Sequence, residues 1–212
     1  MPDIRETMYI PAKKSPGRLE VICGSMFSGK TEELMRRLRR AEFAKQTVLT
    51  IKHLIDARAH HQCIVSHDGQ ERSAHAIDNT PEGIRKILTL ASHNIDVVGI
   101  DELQFFPKDI LPILLALVDQ GKRIVVAGLD LDFRGEPFGI MPTVMALADS
   151  VTKLNAVCGM CGKNSHFSQR IVNGQPARYE DPIVVIGAAE SYEPRCRSCF
   201  VIEKKPEYKA ML

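Results

Sequence analysis

The sequence predicts an α/β fold: a mostly parallel sheet flanked by helices, followed by a small cysteine-bearing unit. Three observations lead there. Apolar runs of strand length alternate with helical stretches over residues 17–150. The first run leads into Gly24-Ser25-Met26-Phe27-Ser28-Gly29-Lys30-Thr31, which fits G-x-x-x-x-G-K-[ST] at every fixed position. From Lys153 the composition changes, and two C-x-x-C pairs appear, Cys158/Cys161 and Cys196/Cys199.

The strand candidates are Leu19–Cys23, Thr47–Ile51, Val97–Ile100 and Arg123–Ala127. Their continuous apolar character suits a parallel sheet covered on both faces. The helix candidates are Thr31–Ala44, Pro81–Ala91, Pro107–Asp119 and Pro142–Ala148. The first places Leu34, Leu38 and Ala41 at helical spacing, and the other three open on proline, which suits a first turn. Arg36, Arg37, Arg39 and Arg40 flank Leu38 and read as a solvated face or a subunit contact, in preference to a nucleic-acid patch.

The loop between the first strand and helix carries the first chemistry. Its glycines let successive N–H groups point at phosphate oxygens, and the helix N-terminus adds partial positive charge there. Lys30 is placed to reach the outer phosphates, and the Thr31 hydroxyl to ligate magnesium. Val97-Val98-Gly99-Ile100-Asp101-Glu102 is the second signal, an apolar strand ending in two acids. Ligands collect at the carboxyl ends of strands in open α/β sheets. Asp101 is then expected in the magnesium shell, with Glu102 free to act as a base. Together the two stretches define a P-loop NTPase-like sheet.

Residues 53–80 hold Asp56, Arg58, His60, His61, His67 and Asp68, with Ile64-Val65 as a short strand. A surface loop is the preferred reading; a second magnesium contact and a phosphate-binding arginine are the alternative. The histidine spacing fits no metal site. The loop Gly128–Gly139 is polar but carries Phe133 and Phe138. Phe133 either stacks on a planar ligand or packs the loop down.

Two C-x-x-C knuckles supply four thiolates for a closed tetrahedral zinc site; a redox dithiol or two unrelated turns remain as alternatives. The knuckles are 34 residues apart, against about 15–20 in a compact ribbon. The excess must leave and return as a long loop. It includes Asn173-Gly174, a hairpin turn signal, then Ile183-Val184-Val185-Ile186-Gly187 and Tyr192. A metal-pinned substrate lid and a plain stapled hairpin both fit. Cys23 reads as a small buried side chain.

Composition sets the bounds. The 212 residues are 44% hydrophobic with a net charge of +2, enough for one α/β core and not a nucleic-acid balance. No apolar run is long enough for a bilayer, and the first sixteen residues lack a secretory h-region. Cytoplasm is the expected compartment, consistent with paired cysteines outside a disulfide framework. The expected divisions are a lead-in at 1–16, an α/β domain at 17–152, a metal and lid domain at 153–203 and a tail at 204–212.

Taken in order, Met26–Thr31, Asp101-Glu102-Leu103-Gln104-Phe105-Phe106, Asp132-Phe133-Arg134-Gly135-Glu136-Pro137-Phe138-Gly139, and Tyr192 four residues before Cys196 resemble the type II thymidine kinases, the compact zinc-containing class, over roughly residues 17–203. The resemblance implies transfer of the ATP γ-phosphate to the thymidine 5′-hydroxyl, with Glu102 as general base. It implies that Gly24 to Thr31, Asp56, Arg58, Asp101 and Gln104 hold Mg-ATP. It places Phe105, Leu129, Phe133, Ile183 to Gly187 and Tyr192 around thymidine, the last two groups forming a lasso whose backbone reads the base edge. It assigns Cys158, Cys161, Cys196 and Cys199 to structural zinc, and Thr31 and Asp101 to magnesium. Deoxyuridine is a second candidate substrate, dTTP the feedback inhibitor, and a homotetramer the expected assembly, with no nucleic acid or membrane as partner. Two positions depart from the family pattern. Ala59 stands where tyrosine is common, and Leu103 where a small residue is usual.

Overall fold

The computed structural model describes residues 16–55, 63–65, 69–92, 94–184 and 191–203. Its main sheet contains β1 (Arg18–Gly24), β2 (Val48–His53), β5 (His75–Ile77), β6 (Val97–Asp101), β7 (Arg123–Gly128) and β8 (Ser150–Leu154), in the order β5-β2-β6-β7-β1-β8. Every neighbouring pair is parallel. Between β2 and β5, β3 (Cys63–Val65) and β4 (Glu71–Ser73) form a separate antiparallel pair.

Helices cover both faces, as continuous apolar strands require. On one face α1 (Lys30–Phe43) packs Leu34, Met35, Leu38 and Ala41 against Ile22, Val97, Val125 and Ala127. On the other, α2 (Pro81–Leu90), α3 (Ile110–Asp119) and α4 (Met141–Leu147) bury Ile87, Leu114, Met141 and Val144 against Val21, Ile51, Val98 and Val126. Gly99 sets how closely α1 approaches: a Cβ there would lie 2.5 Å from Leu38 Cδ1.

The remaining strands are β9 (Ala156–Val157), β10 (Asn164–Ser165), β11 (Phe167–Val172), β12 (Gln175–Pro176) and β13 (Ser191–Arg195). β9 and β10 pair with each other, and β11 lies between β12 and β13, all antiparallel. The β11–β12 turn has Asn173 at φ 50° and Gly174 at φ 77°, the two positive angles a type I′ hairpin needs.

Four strands and four helices fall where the periodicity placed them, with no end moved by more than three residues. The third helix starts at Ile110, not Pro107, because Pro107–Asp109 form a turn closed by i→i+3 bonds, Ile110 N–H to the Pro107 carbonyl at 3.1 Å and Leu111 N–H to the Lys108 carbonyl at 3.0 Å. The edge strands β5 and β8 escaped the sequence reading. Both are short and partly exposed, so neither carries a continuous apolar run. Among its described residues, the segment from 53 to 80 supplies β3, β4 and β5 in place of the expected surface loop.

Arg37 corrects the solvated-face reading of α1. It is 13% exposed and binds Glu20 at 3.0 Å, Glu33 at 2.8 Å and Thr152 at 2.8 Å. Glu20 lies buried on β1 and also receives Arg123 at 2.7 Å and Arg18 at 2.8 Å. One carboxylate therefore ties α1 to β1 and β7. Burial pulls the Glu20 pKa upward, but the Arg123, Arg18 and Arg37 guanidinium groups more than offset this and hold it below its ordinary value. Arg36 and Arg37 likewise hold Glu33 down, to about 2.

Glu20→Gln is expected to cost about 1–3 kcal/mol in urea unfolding, because it leaves half-buried guanidinium groups without their anion. The sign of the pH effect follows from the lowered carboxyls. Their contribution is complete above the ordinary value of 4.5 and is lost as pH falls toward about 2, where Glu33 protonates. The variant should therefore show a shallower loss of stability between pH 5 and pH 2 than the parent chain.

Candidate active site and metal centre

The phosphate loop bridges β1 and α1 at the carboxyl edge of the sheet. Gly24 has φ 142°, and a Cβ there would sit 2.3 Å from the Leu154 carbonyl oxygen. Gly29 caps α1 at φ 81°. Phe27 also has a positive φ, 62°, and its ring is 43% exposed. A bulky side chain in the left-handed region costs roughly 1–3 kcal/mol and persists only where the surroundings enforce it. The Lys30 ammonium donates to the Ser25 carbonyl at 2.8 Å. Among the described residues, the Ser25 and Ser28 hydroxyls are buried with no hydrogen-bond partner. Buried polar atoms without partners are uncommon in native structures, and both sit where phosphate oxygens are expected.

The acidic strand end meets this loop. Thr31 donates its hydroxyl to Asp101 Oδ2 at 2.9 Å, and the Glu102 N–H donates to Asp101 Oδ1 at 3.0 Å. Asp101 and Glu102 are 2% and 8% exposed. Glu102 takes φ 54°, ψ 43°, which turns its side chain away from the strand's alternation. The Gln104 amide then clamps it, with Nε2 donating to Glu102 Oε2 at 2.5 Å and Oε1 accepting the Leu129 N–H at 2.9 Å. Gln104 is 3% exposed and wedged between two glycines. A Cβ on Gly128 would lie 2.7 Å from Gln104 Oε1, and one on Gly139 2.4 Å from the Gln104 carbonyl oxygen. Thr31 and Asp101 present hard oxygen donors side by side, which fits a magnesium ion that keeps most of its water.

The expected nucleoside residues are spread along the neighbouring loops. Phe105 makes an edge contact with Phe138 at 5.8 Å and a tilted one with His53 at 5.9 Å. Phe133 is 4% exposed, with the Arg170 guanidinium 4.9 Å from its ring centroid. Stacking on a base therefore requires the loop around Phe133 to open. Ile183 and Val184 are exposed, 38% and 42%. Tyr192 lies on β13 opposite Arg170 of β11. Asp56, Arg58, Val185, Ile186 and Gly187 fall outside the described residues, as do Ala59, His60, His61, His67 and Asp68.

The sulfurs of Cys158, Cys161, Cys196 and Cys199 all lie within 4.8 Å of one another, and Cys161 and Cys196 are 3.5 Å apart. A tetrahedron with zinc–sulfur bonds of about 2.3 Å has edges close to that spacing, so the set is compatible with zinc. The protons are shared unevenly. Burial raises the Cys158 thiol, but N–H groups of Cys196, Met160 and Cys161 outweigh it and bring it to about 6. Hydrogen bonds with Cys161 and Cys196 push Cys199 up to about 12. Four thiols this close cannot all ionise unless a cation replaces their protons.

Two buried residues at the end of β2 were missed by the sequence reading. Lys52 is 1% exposed and in register with Asp101 of the adjacent strand. His53 bonds Asn79 at 2.8 Å, accepts the Ile55 N–H at 3.0 Å and touches Phe106 edge-on at 4.8 Å. Their signal was available: an apolar run that turns into Lys-His at its carboxyl end, the end that faces ligands.

The sequence model of the thymidine kinase family matches residues 17–200. Among solved structures, AMPPCP-bound DnaA from Aquifex aeolicus is 16% identical with a TM-score of 0.42, covering 68% of this chain and 42% of that one. A DNA replication initiation factor is 14% identical with a TM-score of 0.40, covering 65% and 40%. The chain thus spans about two fifths of the length of these structures. Alignments this distant speak neither to activity nor to partners.

Gly128→Ala should destabilise the chain by about 1–3 kcal/mol in denaturant melts, since the new methyl group must displace Gln104 or Met141. The sulfur geometry predicts one zinc per chain by metal analysis. Cys196→Ser should lower that content and the melting temperature together. Full zinc retention in that variant would refute the four-sulfur assignment.

Proposed function

The chain belongs to the thymidine kinase family, and on that premise we propose that it transfers the γ-phosphate of ATP to the 5′-hydroxyl of thymidine. The product is dTMP, made by salvage for DNA synthesis. The observation that carries this reading is the continuous chain Thr31–Asp101–Glu102–Gln104–Leu129. It joins the phosphate loop, the acidic strand end and the loop expected around the nucleoside.

The backbone N–H groups from Gly24 to Thr31 cradle the triphosphate, and the buried Ser25 and Ser28 hydroxyls gain partners there. Lys30 leaves the Ser25 carbonyl for the outer phosphates. Thr31 and Asp101 would hold a magnesium ion, which when bound would offset the negative charge of the phosphates. The family resemblance assigns Asp56 and Arg58, which lie outside the described residues, to the same phosphates. Glu102 accepts the proton of the 5′-hydroxyl while that oxygen bonds to the γ-phosphorus and the bond to the β–γ bridging oxygen breaks, so ADP leaves. Gln104, expected at the nucleotide border, orients the Glu102 carboxylate by its amide. Positioning and electrostatics carry most of the acceleration in such a transfer.

Thymidine lies between Phe105, Leu129 and Phe133 on one side and the lasso from Ile183 to Gly187 with Tyr192 on the other. An apolar lasso offers mainly backbone hydrogen bonds to the base edge, which leaves deoxyuridine as a second substrate. Cys158, Cys161, Cys196 and Cys199 would hold a zinc ion, which would tie together the two knuckles that flank the lasso segment. A homotetramer restrained by dTTP, in the cytoplasm and without nucleic-acid partners, completes the reading.

Glu102→Gln should lower turnover by about two to four orders of magnitude, as expected for losing a general base, with little change in ATP affinity. Transfer of labelled γ-phosphate across the common nucleosides, with and without dTTP, checks this. Near-normal turnover in the variant would reject Glu102 as the base.

A further inference from the structure

The loop that carries Phe133 is stiff within itself and tied to a distant part of the chain. Asp132 is 4% exposed, and its carboxylate closes the turn. Oδ1 accepts the Arg134 N–H at 2.8 Å and the Glu136 N–H at 3.1 Å, and Oδ2 accepts the Arg134 Nε–H at 3.0 Å. These bonds make Asp132–Glu136 one rigid piece. Its tie to the hairpin beyond β12 is Tyr179, whose hydroxyl donates to Glu136 Oε1 at 2.9 Å across 43 residues of sequence. The Arg134 guanidinium lies 5.2 Å from the Tyr179 ring centroid and 5.8 Å from that of Phe133, so one cation touches both rings. The Tyr179 backbone is anchored without its side chain. Its N–H donates to the Glu203 carbonyl at 2.9 Å, and the Arg178 N–H donates to Asp181 Oδ2 at 2.9 Å.

We propose that Tyr179 is a positioning residue that holds the Phe133 loop shut through Glu136, so that its hydroxyl sets how readily the loop opens for a nucleoside base. This rests on the reading of Phe133 as the ring that stacks on the base. Phe133 is 4% exposed in the closed arrangement. The ring meets a base only after the Asp132–Glu136 piece swings out. The bond from Tyr179 is lost in that movement, and its free energy opposes base binding. Arg134 travels with the loop, because Asp132 holds its guanidinium. Tyr179 touches no reacting atom in this scheme. It acts only through the loop.

The test compares the full-length chain with Tyr179→Phe, Glu136→Ala and the double variant, using thymidine and Mg-AMPPNP as separate titrants in calorimetry. Tyr179→Phe deletes one oxygen and keeps the ring beside Arg134, and melting curves report whether each variant folds. Releasing one hydrogen bond should tighten thymidine binding about threefold to tenfold. Mg-AMPPNP affinity should stay within about twofold of the parent, less than the change from losing one hydrogen bond. Glu136→Ala should also tighten thymidine, and the double variant should gain no more than either single change, because both remove the same bond. A merely structural role would weaken thymidine binding or leave it unchanged. Hydrogen exchange gives an independent readout: the Arg134 and Glu136 amides should exchange faster in Tyr179→Phe. Unchanged or weaker thymidine binding in a folded Tyr179→Phe, or additive gains in the double variant, would overturn the proposal. If the parent chain binds Mg-AMPPNP but no thymidine, the nucleoside reading fails first and takes this inference with it; a failed tie leaves parent binding intact.

Discussion

The hydrogen bond from Thr31 to Asp101 is the constraint on which the rest of the site depends. Thr31 opens α1, after β1, and Asp101 ends β6, two strands away across β7. Adjacent strands stand about 4.8 Å apart, so the contact closes only if α1 lies low over the sheet. Gly99 permits that approach by leaving room for Leu38. Glu20 fastens the same helix to β1 through Arg37. Packing of the helix thus fixes the distance between the phosphate loop and the acidic strand end.

Two of the four described non-glycine residues with positive φ lie at the turns where ligand is expected. Phe27 and Glu102 both take left-handed backbone angles that non-glycine residues rarely adopt. Each is braced by a side chain that is itself buried. Ser168 holds the amide before Phe27, and Gln104, itself tied to Leu129, holds the carboxylate of Glu102. Such strain persists only where the surroundings over-determine it, and it is consistent with a site shaped before its substrates arrive.

The cysteine unit is more than an appended staple. Its β11 carries Ser168 toward the phosphate loop and Arg170 toward Phe133. Phe167 stacks on Phe200 at 4.5 Å, which joins β11 to the segment after the second knuckle. Tyr179 reaches Glu136 at 2.9 Å, in the loop that also holds Phe133. The same short strand therefore touches both the phosphate loop and the loop that carries Phe133.

The sequence by itself determined the parts whose signal is local. The phosphate loop, the acidic strand end, the central strands with their covering helices, the two knuckles and the Asn173-Gly174 turn each announce themselves within a dozen residues, because spacing and residue type suffice for them. Only the tertiary structure decided the edge strands β5 and β8, the inward turn of Arg37, the burial of Lys52 and His53, the Gln104 clamp and the Ser168 tether. These are set by pairing and hydrogen bonding between distant segments. A polar residue in a sequence does not reveal whether its partner will be water or an amide more than a hundred positions away.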